Sequence, residues 1–201
     1  MRTLLKQPIR RSDFLKIGFA LAGALFLCPY HRWKGTPLAE AAEDTGAGGS
    51  GTEETITVYS VEKKGYVTVE KVVKTDAEWR KVLDFEQYVV TREKGTEEPY
   101  SGQYVDTHEK GVYRCVCCGN DLFLSDTKYD SKTGWPSFYA PVAEENVRSV
   151  PDRAPPTSRP ELLCRRCDAH LGHIFPDGPK PTGLRYCINS AALVFIRMER
   201  K

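Results

Sequence analysis

The chain has 201 residues, 40% of them apolar and 28% charged, with a formal net charge of +2. That length bounds it to one domain plus accessory segments, and the balance is that of an ordinary globular protein. Lys and Arg are spread along the chain apart from a basic cluster at its start, which excludes the concentrated basic stripe of a nucleic-acid surface.

The first segment has the features of an address. Arg10-Arg11-Ser12-Asp13-Phe14-Leu15-Lys16 precedes an apolar stretch from Ile17 to Leu27. The stretch is shorter than the roughly 20 residues a permanent span needs, and it fits the central region of a signal peptide. The paired arginines followed by Phe-Leu-Lys resemble a twin-arginine export signal. Ala39-Glu40-Ala41 offers a small-x-small cleavage site, so residues 1–41 are expected to form an export signal. The expected location is outside the cytoplasm, in a periplasm, with membrane contact through the signal alone. A chance amphipathic helix, a lipoprotein site at Cys28 and an uncleaved anchor that tethers the protein are the competing readings.

Residues 42–70 are expected to be a Gly-rich, acidic linker and an extended arm, followed by the main domain at 71–199. Apolar and polar residues alternate from Glu53 to Val73, as in short strands or an arm. Thr75 or Asp76 is placed to cap a helix carrying Trp79, Val82 and Leu83, and a second short helix is predicted over Phe85 to Thr91. Glycine turns come often after that, prolines between Pro151 and Pro160 mark a loop, and Leu184 to Met198 has the composition of strand. A mainly β, mostly antiparallel fold with a short N-terminal helical prelude follows.

Seven cysteines are an odd number, which does not suit a pure disulfide framework. Four of them form Cys115-x-x-Cys118 and Cys164-x-x-Cys167, with 45 residues between the pairs. Two such turns supply four thiolates, the donor set of a closed, structural zinc site. A disulfide within each pair and a redox-active dithiol are the alternatives, and Cys117 competes with Cys118 for the first turn. Asp168 stands after the second pair, where glycine adopts the turn more easily.

Arg185-Tyr186-Cys187-Ile188-Asn189 forms a second constellation. On a strand, Arg185, Cys187 and Asn189 share one face, while Tyr186 and Ile188 face the packing side. A cation beside Cys187 favours the thiolate, the nucleophilic form, and Asn189 can hydrogen-bond a polar substrate atom. Upstream, His170 and His173 can meet across a tight turn, with Asp177 near enough in sequence to orient one of them. A thiol with a histidine acid is the minimum equipment for covalent thiol chemistry. Each residue also has a plainer reading: Cys187 as a small buried hydrophobe, the histidines as metal ligands, Trp135 as core.

Taken together, Tyr113-Arg-Cys115 with Cys118-Gly119, Thr133-Gly-Trp-Pro-Ser-Phe138, the run from His170 to Gly178, and Arg185-Tyr-Cys-Ile-Asn-Ser190 resemble the B-type methionine sulfoxide reductases. The resemblance covers about residues 71 to 198. It implies two antiparallel β-sheets closed by a distal zinc site bound by Cys115, Cys118, Cys164 and Cys167. It implies reduction of the R epimer of methionine sulfoxide in oxidised proteins, with Cys187 as nucleophile and with His170, His173 and Asn189 assisting. Trp135 and Phe175 would form the apolar wall, and Arg185 with Asp177 the polar side. The product on Cys187 would be a sulfenic acid, returned to thiol by a thioredoxin-like reductant.

The chain departs from one common form of that family, which carries a resolving cysteine where Thr133 stands here. Direct reduction by an external thiol is then expected, with Cys117 as the alternative resolver. A zinc-ribbon interaction module without chemistry and another thiol redox enzyme, such as a peroxide reductase, remain the rival functions.

Overall fold

In the computed structural model, residues 54–151 and 159–198 are described. The export signal expected over 1–41 and the Gly-rich linker up to Thr52 lie outside them. The segment expected as short strands or an arm forms a hairpin, β1 (Thr55–Ser60) and β2 (Gly65–Glu70), in antiparallel register from Thr55↔Glu70 to Ser60↔Gly65. The hairpin is tied to the domain through backbone. Tyr59 N–H donates to Asn146 Oδ1 at 2.7 Å, Asn146 Nδ2 donates back to the Tyr59 carbonyl at 2.8 Å, and Val61 N–H donates to Asp121 Oδ2 at 2.8 Å. Asn146 is fully buried and also donates to the Asp121 carbonyl, so one amide side chain joins three chain segments.

Two short helices follow. Helix α1 (Asp76–Val82) begins at Thr75, whose side chain and Glu78 form a capping box. Helix α2 (Phe85–Glu93) begins at Asp84, boxed with Gln87, and ends at Lys94 in the left-handed region. Trp79 is buried, but Val82 is exposed, because the helix ends there and the chain leaves it extended at Leu83. The helices are pinned by arginines over rings: Arg80 lies 3.9 Å from the Tyr88 centroid and Arg92 4.8 Å from that of Trp79. Arg92 also donates to the Cys167 carbonyl at 3.0 Å, which anchors α2 on the second cysteine turn.

The remaining strands are β3 (Gly111–Cys115), β4 (Asp121–Leu124), β5 (Lys128–Tyr129), β6 (Ser137–Phe138), β7 (Val147–Pro151), β8 (Pro160–Cys164), β9 (His170–Phe175), β10 (Arg185–Ile188) and β11 (Leu193–Arg197). They form a six-stranded sheet in the order β5-β6-β10-β9-β8-β7 and a three-stranded sheet in the order β11-β3-β4. All pairings are antiparallel. The hairpin is thus a third sheet beside the two expected ones. Rings from both larger sheets meet in the core: Phe123 stacks on Phe138 with centroids 4.4 Å apart, and Tyr113 meets Phe138 edge-on at 5.0 Å.

The run from Leu184 to Met198 is two strands, not one. A 3-10 turn at Ser190–Ala192 separates β10 from β11 and sends them into different sheets.

Candidate active site and metal centre

The four cysteines expected to bind metal sit where the two sheets come together. Cys115 ends β3 and Cys118 precedes β4, while Cys164 ends β8 and Cys167 precedes β9. Each pair therefore occupies a hairpin turn of a different sheet. The turns repeat one geometry. Gly119 (φ +73°) donates its N–H to the Cys115 carbonyl at 2.8 Å, and Asp168 (φ +54°) donates to the Cys164 carbonyl at 2.9 Å. Aspartate tolerates the left-handed region better than most residues, and here Lys71 and Arg148 hold its carboxylate at 2.9 and 2.7 Å.

The four sulfurs lie within 4.8 Å of one another, with Cys115–Cys167 and Cys118–Cys164 each at 3.6 Å. Four thiolates at about 2.3 Å from a tetrahedral ion would stand about 3.8 Å apart, so the donor set fits a metal ion with no position left open. Cys117 is outside the cluster: it is half-buried, and its thiol lies 3.3 Å from the Thr91 hydroxyl. His170 and His173 are not part of it either.

The second site is built by strand register. Cys187 on β10 faces His173 on β9 and Ser137 on β6, and His173 in turn faces Glu161 on β8. One row across four strands thus holds a hydroxyl, a thiol, an imidazole and a carboxylate. Three residues apart, His170 and His173 would point to opposite faces of a regular strand. The β8–β9 pairing shifts register between Leu162 and Leu163, and the extra residue on β9 brings both imidazoles together, with ring centroids 5.3 Å apart. The strands approach closely at Gly172, where a Cβ would lie 2.0 Å from the Cys187 carbonyl oxygen.

A cavity of about 120 Å³ opens over this row, lined by Thr96, Trp135, Arg159, Gly172, His173, Phe175, Cys187 and Asn189. It is smaller than the roughly 300 Å³ and above that enclose a drug-sized ligand, and so suits a single side chain. Trp135 and Phe175 supply its apolar wall, facing the thiol and the imidazole. Trp135 is oriented by its indole N–H, which donates to the Glu97 carbonyl at 3.1 Å. Asn189 is held at both ends of its amide: Nδ2 donates to the Leu171 carbonyl at 3.1 Å, and Oδ1 accepts from Glu97 N–H at 3.1 Å.

His170, Arg185 and Asp177 stand behind the lining. Sequence adjacency suggested Asp177 as the carboxylate orienting a histidine. The structure instead pairs Asp177 with Arg185 in a two-pronged bridge at 2.8 and 2.9 Å, and Arg185 lies 4.1 Å over the Phe175 ring. The carboxylate on a histidine is Glu161, whose Oε1 lies 2.8 Å from His170 Nδ1. Burial pushes His170 below the ordinary imidazole range against the pull of Glu161. Burial works to raise Glu161, but hydrogen bonds from Lys94 and His170 overcome it and hold the carboxyl low. Together these directions describe a neutral imidazole donating Nδ1–H to a carboxylate. Glu161 is the one charged side chain in the run Glu161-Leu-Leu-Cys164, and a charge on an otherwise apolar strand was the available signal.

The cationic neighbour does not by itself make Cys187 a thiolate. Burial pushes the thiol above its ordinary value, while Arg185, Thr133 and Arg159 pull the other way. Arg159 was not singled out from sequence; it lies 5.6 Å over Phe175 at the cavity mouth.

The chain is similar to known proteins. The SelR domain family profile matches residues 83–197, more than half of the chain. A peptide methionine sulfoxide reductase MsrB of Herminiimonas arsenicoxydans is 60% identical over 126 residues, covering 63% of this chain and 92% of that protein. Proteins of the same description from Hahella chejuensis and Pseudomonas fluorescens are 58% and 56% identical, covering 63% and 62% of this chain and 91% and 96% of theirs.

Alkylation of Cys187, followed across pH by mass spectrometry of its peptide, is expected to have its midpoint above that of a free thiol. Arg185→Met is expected to move the midpoint higher still. A midpoint below the free-thiol value would mean that the charge of Arg185 outweighs burial at the sulfur.

Proposed function

The chain belongs to the SelR domain family, and from that premise we propose that it reduces the R epimer of methionine sulfoxide in proteins by covalent thiol chemistry at Cys187. The observation that carries the reading is the juxtaposition, over one cavity, of a thiol, an imidazole directly across the strand pair, and an aromatic wall. A methionine sulfoxide side chain presents a polar oxygen, an electrophilic sulfur and an apolar methyl group, and the cavity offers a partner to each.

Cys187 attacks the sulfoxide sulfur as the thiolate. His173, which lines the cavity opposite the thiol, donates a proton to the departing oxygen. Trp135 and Phe175 hold the methyl group, and Asn189 closes the polar side. His170 stays neutral behind His173, fixed by Glu161, and the Arg185–Asp177 bridge anchors the wall beneath Phe175. In the net step the sulfoxide gives up its oxygen and is reduced by two electrons to the thioether. The bond formed between Cys187 and the substrate sulfur breaks as the thioether leaves, and Cys187, having received that oxygen, is oxidised to the sulfenic acid.

Thr133 occupies the position of the resolving cysteine found in other members. Its hydroxyl lies 2.8 Å from that of Ser131, which in turn meets Ser137 at 2.7 Å, so hydroxyls stand there instead of a second thiol. Two thiols of a thioredoxin-like reductant therefore return Cys187 to the thiol, with release of one water and formation of a disulfide on the reductant. We assign zinc to the four-cysteine cluster, on its all-thiolate donor set and closed geometry; when bound it supplies folding energy by linking the two sheets. The twin-arginine-like segment and the apolar run after it support export of the folded protein to a periplasm.

Purified protein given the separated R and S epimers of a methionine sulfoxide peptide, with dithiothreitol, is expected to reduce the R epimer alone, and Cys187→Ser to abolish turnover. Equal turnover of the S epimer would sink the stereochemical assignment. No turnover by folded, metal-loaded protein would favour a binding module. Metal analysis is expected to find roughly one zinc per chain, and Cys164→Ser to lose it together with a marked fall in Tm. A melting temperature unmoved by that substitution would sink the zinc assignment. Arg10→Lys with Arg11→Lys is expected to hold the protein inside the cell; unchanged export would remove the twin-arginine reading.

A further inference from the structure

Glu97 is 6% exposed, and among the described residues no Lys or Arg forms an ion pair with it. Its carboxylate is held from the turn at Ser190, by two backbone amides and by the Ser190 side chain. Oε1 accepts from Ser190 N–H at 2.7 Å and Oε2 from Ala191 N–H at 3.0 Å. Those two amides open the 3-10 turn that follows the Cys187 strand. The main chain of the same residue reaches the cavity from the other side: its carbonyl accepts the Trp135 indole N–H, and its N–H donates to Asn189 Oδ1. Besides the contact with the Ser190 side chain, one residue thus makes four hydrogen bonds, three to the Asn189–Ala191 segment and one to Trp135, two separate parts of the cavity's frame.

We propose that Glu97 is a positioning residue for the reaction at Cys187, locking the Trp135 wall, the Asn189 amide and the turn after Cys187 into one rigid unit. This rests on the reading of the cavity as a methionine sulfoxide site. Glu97 is not among the residues that line that cavity. Its carboxylate borders a different hollow, shared with Asp84, Gln87 and Ser190. It therefore acts through the groups it holds and does not touch substrate.

A carboxylate is the side chain this role requires. Two N–H groups point at it, and only a group with two acceptor oxygens satisfies both. Glutamine would satisfy one and turn an NH₂ toward the other, leaving a buried donor without a partner. Aspartate keeps the charge but is one methylene too short to span the same gap. In either variant the backbone of Glu97 is released from the turn, and its bonds to Trp135 and Asn189 loosen with it. Misplacement of reacting groups by about 1 Å costs up to about a hundredfold in rate.

The test uses the full chain as wild type, Glu97→Gln and Glu97→Asp. It records kcat and KM for the R-epimer peptide and the amide spectrum of ¹⁵N-labelled protein, with Trp135→Phe identifying the Trp135 indole signal. Both variants are expected to lose at least about tenfold in kcat/KM and to shift the Trp135 indole N–H signal toward that of a solvent-bonded indole, with zinc content unchanged. Kinetics and indole signal both unmoved in folded variants would overturn the proposal, as would a lowered Tm with wild-type kinetics, the mark of a purely structural carboxylate. If the wild type reduces neither epimer, the catalytic reading fails; the indole signal still reports whether Glu97 fixes Trp135.

Discussion

The pairing of β9 with β10 is the constraint from which the cavity follows. It sets His173 across from Cys187, and it brings the two backbones so close at Gly172 that a Cβ would meet the Cys187 carbonyl oxygen at 2.0 Å. Any side chain at Gly172 would push the strands apart and carry the imidazole away from the sulfur. At that point the cavity is therefore bounded by backbone, with Trp135 and Phe175 among its other walls. The register shift between β8 and β9 then decides that a second histidine stands behind the first.

Two buried carboxylates brace this arrangement from opposite sides. Glu161 takes bonds from Lys94 at 2.9 Å and His170 at 2.8 Å, and stands behind the histidines. Glu97 takes two backbone amides and stands behind Trp135 and Asn189. A carboxylate removed from water is costly unless its oxygens are satisfied, and each of these has at least two donors. The polar framework of the site thus lies mostly out of contact with the cavity. The sulfur itself is governed by the same burial, which keeps Cys187 protonated more strongly than its cationic neighbour frees it.

What could be read in the sequence was what depends on local spacing. Alternation along Arg185–Asn189 placed Tyr186 and Ile188 in the core, and the doubled Cys-x-x-Cys pattern brought four sulfurs to one point. The Thr75 cap of the first helix was visible for the same reason. What depends on register between distant strands was not readable. Glu161 joins His170 only because β8 lies beside β9, whereas Asp177, close in sequence, is drawn away by the guanidinium of Arg185. Glu97 lies in a segment with no periodicity, and its bonds run to residues more than ninety positions away along the chain, as well as to Trp135. The break in the final strand run was hidden likewise, since the amides that open the turn at Ser190 are satisfied from that same distant residue.

The hairpin at the start of the described chain has a mechanical consequence. Beyond its bonds to Asn146 and Asp121, it runs into the cysteine turns. Lys71 bridges Asp168, Val72 N–H donates to the Arg166 carbonyl at 2.7 Å, and Arg166 donates to the carbonyls of Glu70 and Cys118. A tension applied to the chain ahead of Thr55 would be borne first by the β1–β2 pairing and by Asn146, and next by the two turns that gather the four sulfurs. Strand β10 is hydrogen-bonded within its sheet to β6 and β9 and takes no bond from the hairpin in that pairing. Held by its leading end, the molecule would meet its first resistance in the hairpin, in Asn146 and in the turns that carry the four cysteines.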